Sequence, residues 1–153
     1  MNKLALALTC ALAVFFWQGS SDAGPADEIV VVVNKSNASS TLTRDDLRPI
    51  FQTTKSNFPD GAPAEPINLA DDSPVRHDFD QAVLGLDPDR VARYWIDRKI
   101  RGGERPPRKV NAASAAVRSV STDKGAVSYV RVGDVNDSVK IVARIRNGQV
   151  VSP

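Results

Sequence analysis

Asp71, Asp72, Ser73, Arg76 and His77 fall within seven consecutive positions, and they put two carboxylates, a hydroxyl, a guanidinium and an imidazole on one short stretch. Ser73 is a good helix N-cap, and Pro74 stands where the first helical residue needs no amide hydrogen. A helix starting there leaves backbone N–H groups unpaired, with partial positive charge at its end. With Ser73 and Arg76 added, such a start makes a small oxyanion site. The same residues also fit a plainer arrangement. Ser73 then only caps its helix, and Arg76 pairs with Asp72 or Asp80, each four residues away. From these residues alone both readings stay open.

The rest of the chemical inventory points away from catalysis. His77 is the single histidine, so no histidine metal cluster can form, and no Gly-x-Ser-x-Gly elbow supplies a nucleophile. The adjacent Asp71 and Asp72 suit a turn before a helix better than paired acid–base work. The glycines and arginines of Arg101–Arg108 lack the Gly-Lys-Ser/Thr of a nucleotide loop. Neither a metal nor a cofactor is called for; binding is what remains, and the chain is not expected to be an enzyme.

Several elements must position that stretch. Glu28–Asn34 is a β-branched run and predicts a strand buried on both faces, in a sheet covered by helices. Thr43 caps a short helix, Arg44–Phe51, whose Leu47, Ile50 and Phe51 face the core, with Pro49 expected to bend or tighten it. Phe58-Pro59-Asp60-Gly61 is turn chemistry, and Pro66–Leu69 is a short strand leading into the Asp71 turn.

The helix from Ser73 repeats Val75, Phe79 and Val83 at four-residue steps and ends near Gly85. Asp87-Pro88 starts a second helix, with Val91, Tyr94 and Trp95 as its core stripe. Arg101–Arg108 reads as an exposed loop and Asn111 as the cap of a small-residue helix, Ala112–Val120. Gly125–Val130 and Val139–Ile145 are strands, and Asn147-Gly148 is a hairpin turn before Val150-Val151, which reads as a weak last strand or a tail. That order predicts a three-layer α/β sandwich with a mixed sheet.

The 153 residues are 42% hydrophobic and 25% charged, ordinary for one globular domain. Lys3 followed by the apolar run Leu4–Trp17, with Ser21-Asp22-Ala23 after it, reads as a signal peptide over residues 1–23, leaving one domain over 24–153. Cys10, the single cysteine, lies in that run, so the remaining chain has no disulfide to fold with. The 20 basic and 18 acidic residues are interspersed without a basic stripe, so nucleic acid is not an expected partner. No second apolar stretch is long enough to span a membrane after cleavage, which places the protein in the periplasm or outside the cell.

Taken in order, the motifs resemble those of the phosphate ABC-transporter substrate-binding protein family, in its small single-lobe members. The landmarks are Ile29–Asn34, Leu42–Leu47 with Ile50-Phe51, Phe58–Gly61, Asp71-x-Ser73-x-x-Arg76-x-x-Phe79, Tyr94-Trp95, Gly102–Pro107 and Gly125–Val130. The resemblance covers nearly all of residues 24–153. It implies one lobe of a type-II periplasmic binding protein and a phosphate or related oxyanion ligand held by Asp71, Ser73 and Arg76. An ABC-transporter permease, a second binding lobe or a homodimer would be the partner.

The family's Arg-x-Asp-Gly-Ser-Gly-Thr segment aligns with Leu69–Val75. Asp71 and Ser73 carry over, whereas Leu69 replaces the arginine, Asp72 and Pro74 the glycines, and Val75 the threonine. Arg76 would have to stand in for the lost arginine. The alternative is a periplasmic interaction or sensor module that kept the fold and lost the ligand, as the loss of polar groups at Leu69 and Val75 suggests.

Overall fold

In a computed structural model, which describes residues 28–153, the β-branched run forms strand β1 (Ile29–Asn34), and every one of its residues is buried. Cover on both faces follows from that run, because alternate valines of a strand point to opposite sides. The other strands are β2 (Glu65–Leu69), β3 (Arg108–Val110), β4 (Ala126–Arg131), β5 (Val139–Arg146) and β6 (Gln149–Val151). They make one six-stranded sheet in the order β3-β2-β4-β1-β5-β6. β2 runs parallel to β3 and β4, and the pairs β4–β1, β1–β5 and β5–β6 are antiparallel. The fold is the mixed-sheet, three-layer α/β sandwich expected.

The helices are α1 (Arg44–Phe51), α2 (Pro74–Phe79), α3 (Pro88–Ile100) and α4 (Ala113–Thr122). Thr43 caps α1 through a reciprocal box with Asp46, and the helix runs two residues past Pro49 before it ends. α2 passes into a π turn, Asp80–Leu84, closed by Gly85 at φ 73°. There Arg44 Nε reaches the carbonyls of Ala82 and Val83 at 3.0 and 3.1 Å, satisfying groups a helix end leaves without partners.

One aromatic cluster joins α1 and α2 to the sheet. The Phe79 ring lies 3.7 Å from that of Tyr129 at 7° between planes, and Phe51 meets Phe79 edge-on at 4.6 Å. α4 packs against β1, β2 and β4, and Asn34 Nδ2 donates to the Val120 and Ser121 carbonyls near its end at 2.9 Å. Among the described residues the buried core lies between Ile29 and Ile145.

Three expectations need correction. Arg108 does not belong to a loop: it opens β3, which pairs with β2 from Ile67 to Leu69. Asn111 does not cap α4; Ala112 holds that position and makes no side-chain hydrogen bond. In α3 only Val91 of the expected stripe is buried, while Tyr94 and Trp95 are half-buried, because that helix lies at the periphery of the sandwich. The turn Asn147-Gly148 has both residues at positive φ, 50° and 71°, as a tight hairpin requires. The expected signal peptide lies outside the described residues. Among the described residues no helix is long and apolar enough to cross a membrane.

Candidate functional site

β2 ends at Leu69, and the chain turns through Ala70-Asp71-Asp72 into α2, with the Ser73 N–H on the Ala70 carbonyl at 3.1 Å. This turn lies outside the carboxyl end of a strand with parallel neighbours on both sides, a common place for ligands in open α/β sheets. Ser73 does cap α2: its hydroxyl accepts the Arg76 backbone N–H at 3.5 Å.

Arg76 is buried, with 6% of its side chain exposed, and its guanidinium binds three groups. One terminal nitrogen, Nη1, donates to the Leu69 carbonyl at 3.0 Å and to Asp71 Oδ1; Nε lies 3.4 Å from Asp80 Oδ2. Of the two partners foreseen for Arg76, Asp80 is one. Asp72 stays exposed, and Asp71 takes the other place because the turn aims it back over the helix start.

Lys109 was missed in the sequence. It sits in β3, level with Asn68 of β2, and its Nζ donates to Asp71 Oδ2. Asp71 thus bridges Arg76 and Lys109. The hydrogen bond from Lys109, aided by the Arg76 charge, holds its carboxyl below the usual carboxylate range despite partial burial. Asp80 behaves oppositely. Burial pushes its carboxyl up to about 6, against the opposing pull of Arg76. His77 Nε2 lies 2.7 Å from the Asp71 carbonyl oxygen, so the imidazole braces the turn rather than standing free in solvent.

Asp71, Arg76, His77, Asp80 and Lys109 line a 290 Å³ cleft together with Trp95, Pro106 and Pro107. Ser73 is not part of the cleft wall; it holds the helix start that carries Arg76. Among the described residues no three of His, Cys, Asp or Glu converge as a metal set would. Beneath the cleft, the Tyr129 hydroxyl donates to Asn68 Oδ1 at 3.1 Å and accepts from the Leu69 N–H at 3.4 Å. A buried polar chain therefore runs from the sheet to the guanidinium. Chemically, the cleft is lined by two cations, two carboxylates, an imidazole and the Trp95 side chain.

No protein-family model matches the chain, and no curated protein does. Solved structures do. An ABC-type phosphate transport receptor from Vibrio cholerae matches at TM-score 0.60 and 21% identity, over 76% of this chain and 45% of that one. A Clostridium perfringens protein solved with bound phosphate gives 0.62 and 21%, over 76% and 44%. PstS from Borrelia burgdorferi gives 0.59 and 14%, over 76% and 46%. The chain shares the fold of phosphate ABC-transporter substrate-binding proteins and spans less than half the length of each of these three.

Proposed function

We propose that the protein is a periplasmic or secreted solute-binding domain for phosphate or a related oxyanion, with its site at Asp71, Ser73 and Arg76 and with Lys109 as a further member. The observation that carries this reading is the position of Arg76. Its guanidinium lies on the backbone of Leu69, the residue standing where the resembling family has arginine. An incoming oxyanion would compete with the Asp71 carboxylate for Arg76 and Lys109, while Ser73 holds the helix that carries Arg76. One wall of such a site stays open, so a second lobe, a second copy or a permease is the natural partner. The fold likeness to transport receptors supports a role in phosphate transport.

A second reading has its own observation. The Arg76 guanidinium is already engaged by Leu69, Asp71 and Asp80, as in a purely structural cluster. That arrangement suits an interaction or sensor module that no longer binds a ligand.

Titration calorimetry of residues 24–153 with phosphate at low salt separates the two. Saturable heat that is lost in Arg76→Ala and weakened in Lys109→Ala supports the receptor. A folded protein giving no heat up to about millimolar phosphate, an affinity near 4 kcal/mol, leaves the interaction module.

A further inference from the structure

From the structure we infer, resting on the oxyanion reading proposed above, that Asp80 is a proton gate on the cleft. Anion capture by Arg76 is held off while the Asp80 carboxyl is ionised and enabled once that carboxyl carries a proton. Arg76 and Lys109 line the cleft together with Asp71 and Asp80, two cations against two carboxylates. With all four ionised these groups have no net charge to draw in an anion.

The two carboxylates are held very differently. Asp71 has 67% of its side chain exposed and is bonded by both cations, whereas Asp80 has 6% exposed and meets Arg76 at a long 3.4 Å. Among the described residues no backbone N–H or hydroxyl supports the Asp80 carboxylate. A buried carboxylate with one long contact takes up a proton before an exposed, doubly bonded one. Neutral Asp80 then leaves two cations facing one carboxylate, with uncompensated positive charge at Arg76. The Arg76 Nη2, which makes no hydrogen bond among the described residues, is the nitrogen left for a ligand oxygen.

Burial dominates the surroundings of Asp80 and holds its carboxyl up to about 6. Arg76 and His77 of the adjoining helix pull the other way, and Asp71 of the turn adds to the rise. β4 presents the Tyr129 phenol, which burial keeps protonated. On the π turn itself, α1 brings Arg44, whose Nε is taken up by the Ala82 and Val83 carbonyls. β6 also packs there and carries no titratable side chain. The gate therefore opens as pH falls to about 5 and is closed by about pH 8.

The test titrates the protein and its Asp80→Asn variant with inorganic phosphate by calorimetry, at about pH 5 and about pH 8. Asparagine keeps the shape of the carboxyl and carries no charge. Protonation of phosphate and of His77 is common to both proteins, so the comparison isolates Asp80. Asp80→Asn should bind phosphate at least about tenfold tighter than the unaltered protein at pH 8, the difference shrinking to within about twofold at pH 5. Equal affinities at pH 8, or weaker binding by the variant there, overturn the gate while the oxyanion site stands. No saturable heat from either protein at either pH removes the oxyanion reading and the gate with it. A second measurement needs no variant: by reciprocity, saturating phosphate should move the carboxyl NMR midpoint of Asp80 upward. A midpoint that stays or falls overturns the gate.

Discussion

Lys109 donates from Nζ to Oδ2 of Asp71, so a cation on the edge strand and a carboxylate on a turn, 38 residues apart, close one end of the cleft. Arg76 holds the other oxygen of the same carboxylate. The negative end of the site is thus clamped between two positive groups, one buried and one half-exposed.

Lys109→Ala should test that clamp directly. Its removal takes away the largest influence depressing Asp71, so the Asp71 carboxyl should titrate closer to the ordinary 3.8. Carboxyl NMR through an acid titration reads that change. The stability cost should stay below about 1 kcal/mol, because the pair is more than half exposed to solvent.

Arg76→Ala should be far more costly. It strands the buried Asp80 carboxylate and the Leu69 carbonyl, and uncompensated buried charges of this kind cost about 3–5 kcal/mol. The loss should be greater at pH 7 than at pH 5, where Asp80 can take up a proton and need no partner. Urea denaturation at the two pH values measures it, and Arg76→Ala/Asp80→Asn should recover part of the loss.

Asp80 sets a pH dependence of unusual sign for a carboxylate. In the folded protein it keeps its proton up to about pH 6, whereas the unfolded chain releases it near 3.8. Between those values the folded state binds more protons. The group's contribution is complete below about pH 3.8 and is lost as pH rises through 6, an effect on the order of 2–3 kcal/mol. Asp71, with its depressed value, works in the opposite sense: its contribution is present above 3.8 and disappears on further acidification. Asp80→Asn should flatten the urea midpoint between pH 4 and pH 6 while leaving the acid limb in place.

Tyr129→Phe should cost about 1–3 kcal/mol with the aromatic stack intact. The missing hydroxyl leaves the Leu69 N–H without its side-chain acceptor and Asn68 without a donor, directly beneath the carbonyl that holds Arg76. A lowered melting temperature together with faster amide exchange at Leu69 is the expected signature.

Much of the frame was legible in local sequence. The run Ile29–Asn34 could only be satisfied between two covering layers. Thr43, Ser73 and Asp87 each cap the helix their side chains suggested, since an N-cap is a contact over three residues. Asn147-Gly148 likewise encodes its own positive-φ turn.

What tertiary structure decided was every relation that spans elements. β3 is three residues long, too short to show alternation, and it exists because β2 offers it a parallel edge. Arg76 prefers Asp71 to Asp72 because the turn after Leu69 points one carboxylate at the guanidinium and the next into solvent. Asp80 holds its proton toward neutrality because it is buried, against the pull of Arg76, and burial has no signature in residue type. Residue spacing alone determined which groups sit on the Ser73 helix start. Packing alone determined that Lys109 completes the cleft and that the guanidinium is shared among three oxygens, because those contacts depend on sheet register and on desolvation.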